Sequence, residues 1–189
     1  ILVVGFILRT MYEAGEFKTL EPHYSGDCFS VAGVAGAEDI TFLKNGTALI
    51  SSDNRRSRMN GSLEQGTIYQ YRPKAKDHKL VNLRPQLDTG FHPHGISVYE
   101  DPDGKIFLAV VNHHSGGLFN SSEGHSIELF RYEVDSLFHI RSVSGPLMIS
   151  PNDIVLINKD QFYVTNDHGS SSGLMQTLEE YLQLRRCNA

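Results

Sequence analysis

The sequence predicts an all-β fold of the β-propeller type, in which four-stranded units repeat around a central axis. Short polar clusters recur along the chain at Glu38-Asp39, at His92-Pro-His94-Gly-Ile96 and at Asn152-Asp153. About 56 residues separate Glu38 from His94 and about 58 separate His94 from Asn152, which is close to the repeat of a propeller blade. Each cluster also precedes a run of β-branched or aromatic residues. Such a repeat predicts that one polar tip from each unit points toward a common central site.

The composition is that of a soluble globular protein. The 189 residues are 40% hydrophobic and 21% charged, so one domain with a sizeable core is expected. The formal net charge is −5, and an acidic chain lacks the basic surface that nucleic acids require. Arg55, Arg56 and Arg58 are too few to reverse this balance and predict a solvated loop. We therefore expect no nucleic-acid partner.

The first repeat unit begins directly after Glu38-Asp39. Lys44-Asn45-Gly46-Thr47 is typical of a β-hairpin turn, because Asn and Gly readily adopt the positive φ that such turns require. A long polar loop is expected over 53–65. The predicted strands of this unit are 40–42, 48–51, 66–71 and 79–83.

The second unit repeats this order and a third unit begins it again. Asp101-Pro-Asp-Gly104 predicts a turn, and Ile106–Val111 predicts an inner strand that is apolar on both faces. A polar loop follows over 113–124, and Asn158-Lys-Asp160 predicts the turn of the third unit. The predicted strands are 95–99, 106–111, 127–132 and 138–140 in the second unit, and 153–157 and 162–165 in the third. The chain thus predicts about two and a half blades.

The pattern changes after the third unit. Leu174, Leu178, Tyr181 and Leu182 fall at helical spacing and predict an amphipathic helix over 173–186. A propeller needs at least four blades to close, because open blades expose strand edges and apolar faces. We therefore expect a piece of a larger protein or the product of a truncated reading frame.

The apolar segment Ile1–Leu8 is too short to span a bilayer. It predicts the tail of a signal peptide or signal anchor, and hence a secreted or membrane-anchored protein outside the cytoplasm; a buried first strand is the alternative. The expected organisation is this tail over 1–8, a connector over 9–30, a partial propeller over 31–170, and a helix with an atypical C-terminus over 171–189.

The two cysteines, Cys28 and Cys187, lie near opposite ends of the chain. They lack C-x-x-C spacing, which excludes a zinc or redox motif of that kind. A disulfide between them and an unpaired Cys28 with a missing partner both fit the sequence.

The acidic clusters favour a hard cation. Adjacent side chains of an extended strand point to opposite sides, so Glu38-Asp39 and Asn152-Asp153 can each serve two points along a central axis. Carboxylate and amide oxygens without cysteine or clustered histidine ligands select such an ion, and Ca²⁺ tolerates irregular geometry. The alternative is that these residues only satisfy loop amides, as Asp and Asn often do.

Histidines supply the candidate base. His94 lies between Pro93 and Gly95, and His113 ends the inner strand of the same unit, so a hairpin can return it beside His94. Two close imidazoles can share a proton near neutral pH beside a polarised substrate. Each histidine alone is more often a structural hydrogen-bonding group, and His92 and His114 are assigned that role.

Four motifs in register resemble the paraoxonase/arylesterase family over about residues 28–184. They are Gly-x-Glu-Asp-Ile before a strand, His-Pro-His-Gly-Ile-Ser, Val-Val-Asn-His, and Pro-Asn-Asp-Ile-Val followed by Gln-Phe-Tyr-x-Thr-Asn-Asp-His. The resemblance implies a six-bladed propeller with two central Ca²⁺ ions that hydrolyses aryl esters and lactones. It therefore implies a small-molecule ester or lactone as substrate.

The resemblance also implies residue roles. Glu38 and Asn152 match ligands of a catalytic Ca²⁺, while Asp39, the carbonyl of Ile96 and Asp153 match ligands of a structural Ca²⁺. The family's histidine pair corresponds to His94 and His113, of which His94 acts as general base on water and His113 supports it. Asp167 and His168 are expected in a second shell around this site.

The chain departs from the family pattern at several places. Further Asn and Asp ligands of the family come from later blades. The family cysteine that matches Cys28 pairs with one near the true C-terminus, a place that Cys187 does not occupy. A tyrosine of the active-site loop corresponds to about Arg56. The helix over 173–186 matches an element that covers the site and contacts lipid surfaces, which implies a membrane or lipid surface as a partner.

Other functions remain open on the sequence. A gluconolactonase-like propeller hydrolase would share the metal without the His94/His113 pair. A non-catalytic propeller that serves as a binding scaffold would need neither, and an inactive truncated product would expose apolar surface.

Overall fold

The computed structural model describes residues 2–62, 64–85, 87, 90–114 and 124–189. The chain divides into two compact units, residues 1–32 and residues 33–189. Most of the polar loop predicted over 113–124 lies outside the described residues.

The first unit contains helix α1 (Leu2–Glu13), followed by turns and irregular chain. The alternative of a buried first strand is therefore wrong. A helix satisfies its own backbone hydrogen bonds, whereas a strand needs a partner, and an ion pair of 2.9 Å between Arg9 and Glu13 joins successive turns of the helix. None of the helices in the described part of the chain is long and apolar enough to cross a membrane.

The described residues of the second unit are all-β apart from two short helices. A first antiparallel sheet has its strands in sequence order, and a second sheet of four strands repeats this order. A two-stranded hairpin forms the third sheet. The strands are β1 (Ala37–Phe42), β2 (Ala48–Ser52), β3 (Thr67–Tyr71) and β4 (Leu80–Asn82) in the first sheet, β5 (Pro93–Glu100), β6 (Ile106–His113), β7 (His125–Glu133) and β8 (Ser136–Val143) in the second, and β9 (Pro151–Asn158) and β10 (Gln161–Asn166) in the third.

The two helices differ from the sequence predictions. Helix α2 (Arg55–Met59) lies inside the predicted loop over 53–65; it begins where the side chain of Asn54 accepts a hydrogen bond from the amide of Ser57 at 3.2 Å. Helix α3 (Gly173–Tyr181) ends well before residue 186, so that boundary is wrong. Gln183 has φ of 54°, a left-handed conformation that a right-handed helix cannot include.

Strand β6 is buried on both faces because it contributes to two separate cores. Leu108 and Val110 pack into the core between the first and second sheets. Phe107, Ala109 and Val111 pack into the core between the second and third sheets. Successive strand residues point to opposite faces. Because both faces of β6 pack against other sheets, its residues are apolar without interruption, as the sequence shows.

Apolar side chains of the first and third sheets stay exposed. Ile40 and Phe42 of β1 are 51% and 59% exposed, and Val155 and Ile157 of β9 are 50% and 49% exposed. The described residues therefore form a partial fold with open outer faces and no closed ring of sheets. Cys28 and Cys187 are both free and exposed.

Candidate active site

The polar clusters of the three sheets meet at one end of strands β1, β5 and β9. The carboxylate of Glu38 lies 3.4 Å from Nε2 of His94. Nδ1 of His94 donates to the carbonyl of Asn152 at 2.9 Å. Each cluster therefore contacts the next, although the clusters are far apart in sequence.

Irregular pairing presents these residues at the strand ends. The register between β1 and β2 shifts between Ala37 and Ile40, and that between β5 and β6 shifts between Pro93 and Ile96. Such bulges turn side chains away from the regular alternation of a strand. Both shifts fall on the predicted site residues, which frees Glu38 and His94 from pairing constraints.

Gly95 allows β5 and β9 to approach closely. A Cβ atom at this position would lie 2.5 Å from the carbonyl oxygen of Asn152 and 2.6 Å from Cα of Asp153. These distances are far inside van der Waals contact, and backbone atoms cannot yield as a flexible side chain can. Only glycine fits here, and its neighbour His94 is thereby held against the carbonyl of Asn152.

His94 has a defined tautomer at this position. A carbonyl can only accept a hydrogen bond, so Nδ1 of His94 carries a proton. Nε2 then faces the carboxylate of Glu38. Arg55 of α2 lies 3.2 Å from the same carboxylate and offsets part of its negative charge. Arg55 was not predicted as a site residue, because the basic cluster to which it belongs is typical of a solvated loop.

His113 lies beside His94, with ring centroids 5.1 Å apart and an interplanar angle of 78°. The amide of His113 donates to the carbonyl of His92 at 3.1 Å, which continues the pairing of β5 with β6. A third imidazole, His125 of β7, lies opposite His113 with centroids 4.8 Å apart. Burial lowers the pKa of His125 below its ordinary value, and the imidazole of His114 lowers it further.

A buried carboxylate supports the same edge of the second sheet. The side chain of Glu128 is 1% exposed and accepts hydrogen bonds from Ser126 and Ser142, each at 2.5 Å, and lies 2.8 Å from His139. Burial raises the pKa of Glu128, but these hydrogen bonds together outweigh it and lower the pKa below its ordinary value. His114 joins this network through Ser126 at 2.8 Å, which is the structural role assigned to it.

His92 also has a structural partner. Its Nδ1 lies 3.2 Å from the carboxylate of Asp53, and both side chains are less than 8% exposed. Its amide donates to the side chain of Asn112 at 2.7 Å.

The predicted ligands retain oxygen donors suited to a hard cation. The amide nitrogen of Asn152 donates to Asp167 at 2.7 Å, which leaves the side-chain oxygen of Asn152 as the donor. The carboxylate of Asp39 accepts from the amide of Ile96 at 2.8 Å, and Asp153 accepts from the following amide at 2.7 Å. Carboxylate oxygens have lone pairs beyond these bonds, so the donor chemistry fits Ca²⁺. Within the described residues, no three His, Cys, Asp or Glu side chains are grouped closely enough to hold a metal ion by themselves.

His168 lies behind the site and contacts helix α3. Its Nδ1 is 3.1 Å from the hydroxyl of Ser150, and its Nε2 is 3.0 Å from the carboxylate of Glu180. Asp167 contacts Asn152 directly, whereas His168 connects β10 to α3. Asp167 is therefore in direct contact with a predicted site residue, whereas the contacts of His168 are with Ser150 and helix α3.

A polar cavity of about 800 Å³ opens beside the first sheet at the same strand ends. Ser52 and Asn54 line it; Ser52 pairs with Ala37 of β1, and Asn54 precedes Arg55. Two of its lining residues thus adjoin β1 and α2, the elements that carry Glu38 and Arg55. Its remaining polar lining includes Glu64, Gln65, Thr67, Asn82 and Arg84.

Comparison with known proteins identifies the family. The family model described as Arylesterase matches residues 20–189. The chain is 34% identical over 179 residues to serum paraoxonase/arylesterase 2 of Gallus gallus, covering 90% of this chain and 49% of that protein. It is 32% identical over 180 residues to serum paraoxonase/lactonase 3 of Oryctolagus cuniculus, covering 90% and 48%. It is 31% identical over 172 residues to serum paraoxonase/arylesterase 2 of Homo sapiens, covering 85% and 46%.

The chain thus spans about half the length of the curated relatives that it matches. The family model covers all of the second unit and part of the first. Its match includes every residue that the three polar clusters bring together. On this evidence the chain belongs to the arylesterase family.

Proposed function

We propose that this chain contributes the first half of the active site of a calcium-dependent hydrolase of aryl esters and lactones. The observation that carries the proposal is the contact of His94 with both Glu38 and the carbonyl of Asn152, with His113 beside it. A base and the oxygen donors for a cation therefore share one site. The names of the relatives, paraoxonase, arylesterase and lactonase, support this substrate class.

The complete fold that we propose is a six-bladed propeller. Residues 31–170 form its first two and a half blades, and residues 171–189 follow as a helix with an irregular end. Further blades would cover the exposed apolar faces at Ile40 and Phe42 and at Val155 and Ile157. Cys28 would then pair with a cysteine of that further segment.

The proposed catalytic ion is held by Glu38 and Asn152, and the structural ion by Asp39, Asp153 and the carbonyl of Ile96. When bound, Ca²⁺ supplies polarisation of the substrate carbonyl and stabilisation of the developing oxyanion. These residues are fixed by their own partners, since Asp167 orients the amide of Asn152 and the amide of Ile96 orients Asp39.

His94 is the proposed general base. Its Nδ1 proton is engaged by the carbonyl of Asn152, which leaves Nε2 as the nitrogen that accepts a proton from water. Glu38 stabilises the resulting imidazolium, because an opposite charge at 3.4 Å favours the charged form. His113, packed edge to face against His94, is the neighbouring acceptor for that proton.

The proposed location is outside the cytoplasm, with residues 1–8 as the tail of a signal peptide or signal anchor and residues 9–30 as a connector. The exposed apolar side chains of α3, including Leu174 and Tyr181 at 72% and 71% exposure, suit contact with a lipid surface.

Phenyl acetate hydrolysis by the 189-residue protein tests the proposal. We expect His94→Gln to lower kcat by a factor of about 10² to 10⁴, the usual contribution of a general base, and a chelator to abolish activity. His23→Gln is the matched control, since His23 is exposed in the first unit. Glu38→Gln should weaken Ca²⁺ binding in calorimetry, whereas Glu133→Gln, at an exposed carboxylate, should not.

Each alternative function gives a different result in this assay. Hydrolysis that is insensitive to the chelator would exclude the calcium mechanism. A calcium-dependent lactonase that is indifferent to His94→Gln would favour the gluconolactonase-like function. Absence of hydrolysis together with aggregation would identify an inactive fragment, and absence in a well-folded monomer would favour a binding scaffold.

A further inference from the structure

Two imidazole nitrogens face each other directly behind the His94 ring. His113 of β6 and His125 of β7 are register partners in the antiparallel pair, and their Nδ1 atoms are 3.0 Å apart. The rings are nearly perpendicular, at 86°. At this distance one nitrogen carries a proton and the other offers a lone pair, because two lone pairs or two protons would repel.

The surroundings of His125 make it the acceptor of this bond. Burial lowers the pKa of His125, and the imidazole of His114 lowers it further, so a second proton on this ring is disfavoured and a lone pair is retained. Only a bond donated by His113 survives if His113 itself gains a second proton, since an imidazolium has donors on both nitrogens. With His125 as acceptor, the hydrogen bond from Nδ1 of His113 is retained whether His113 is neutral or protonated.

We propose that His125 is a positioning residue that accepts the Nδ1 proton of His113 and thereby holds the lone pair of His113 on Nε2. The tautomer assignment rests on the short contact of this pair and on the surroundings of His125, and its catalytic consequence rests on the proposed function. A base oriented by a third group is a general device of enzymes. Here that third group is a neutral ring, which fixes the tautomer without adding a negative charge beside the histidine pair.

The proton balance of the proposed relay is complete without any co-reactant. An O–H bond of water breaks as an N–H bond forms on Nε2 of His94. That N–H bond then breaks as one forms on Nε2 of His113, while Nδ1 of His113 remains bonded to its proton and donates to His125. Meanwhile the water oxygen bonds to the carbonyl carbon. As the carbon–oxygen bond to the leaving group breaks, the proton passes to that leaving oxygen, which restores neutral His113.

Nitrogen NMR of the ring atoms in ¹⁵N-histidine-labelled protein tests the tautomer directly and needs no substrate. We expect His113 of the wild-type protein to carry its proton on Nδ1. In His125→Leu, which removes the acceptor at similar volume, the proton should redistribute toward Nε2. In His125→Asn the amide oxygen replaces the acceptor and should restore the Nδ1 tautomer, and His23→Leu should change nothing.

Kinetics supply the second readout. We expect His125→Leu to lower kcat for phenyl acetate by about 10- to 100-fold, the usual effect of a group that orients a site residue, with KM unchanged and with recovery in His125→Asn. A proton on Nε2 of His113 in the wild-type protein, or an unchanged tautomer in His125→Leu, would overturn the proposal. The wild-type spectrum decides this even if a variant does not fold. A tautomer change in a protein without esterase activity would support the positioning role and refute the proposed function.

Discussion

The contact between β5 and β9 at Gly95 gives the sharpest test of how this site is assembled. Gly95→Ala would add a Cβ atom 2.5 Å from the carbonyl oxygen of Asn152 and 2.6 Å from Cα of Asp153. Both obstacles are backbone atoms, so relief requires the two strands to separate. Separation would lengthen the bond between Nδ1 of His94 and the carbonyl of Asn152, now 2.9 Å.

The expected magnitude follows from overpacking. One extra methyl in a closely packed contact costs about 1–3 kcal/mol. Alanine also restricts the unfolded chain, which stabilises by about 0.4–1 kcal/mol and partly hides this cost. Gly145→Ala is the matched control, because its Cβ would meet nothing within 4 Å. The difference in the free energy of unfolding between the two variants isolates the steric cost. Each kcal/mol of lost stability lowers Tm by about 2–4 °C in a chain of this size.

Urea and thermal unfolding of the two variants measure that difference. We expect Gly95→Ala to be less stable than Gly145→Ala by about 1–3 kcal/mol, with an altered ¹⁵N shift at Nδ1 of His94. Equal stabilities within about 0.5 kcal/mol, the ordinary range for surface substitutions, would refute the close approach of β5 and β9.

Two further predictions concern the groups around the site. Glu128→Gln should destabilise the protein by about 1–3 kcal/mol at pH 7, because charged hydrogen bonds are lost from a buried group. The pKa of Glu128 is lowered in the folded state. Its stabilisation is therefore present above the ordinary glutamate range and is lost as pH falls from that range through the folded value. Urea unfolding from pH 7 down to the lowest pH at which the protein stays folded should show the stability gap between wild type and Glu128→Gln closing below about pH 4; a gap that stays constant over this whole range would contradict it. His168→Ala should lower hydrogen-exchange protection in α3 about fivefold, the equivalent of about 1 kcal/mol of hydrogen bonding, while β6 keeps its protection. Equal loss in β6 would instead indicate general destabilisation.

The strands were predictable because their signals are local. The turn at Asn45-Gly46 connects β1 to β2, and the run from Ile106 to Val111 forms a strand buried on both faces. Helix α2 was missed because Arg55–Met59 has no apolar periodicity, and its start depends on one hydrogen bond from Asn54. The overlong prediction for α3 followed leucine spacing past Tyr181, where the left-handed backbone of Gln183 ends the helix.

His125 was missed although a signal for it existed. Pairing the predicted strands 106–111 and 127–132 in antiparallel register places position 125 opposite position 113. The spacing from His94 indicated only His113, because that prediction considered the hairpin of β5 and β6 and left out the hairpin of β6 and β7. Arg55 offered no comparable signal, because its contact with Glu38 depends on how α2 lies against β1.

The sequence by itself determined the repeated four-stranded units, the polar residues at the start of the first strand of each unit, and the family resemblance that those residues carry. Turn residues and the alternation of apolar and polar side chains encode these features, and both signals extend over only a few residues of sequence. Tertiary structure decided which polar atoms meet: Glu38 with His94, His94 with the carbonyl of Asn152, and His113 with His125. The first two contacts join different sheets, and their distances depend on strand bulges and on the close approach at Gly95; the third depends on strand register within the second sheet. Packing and register therefore supply the geometry that turns a row of polar residues into a site.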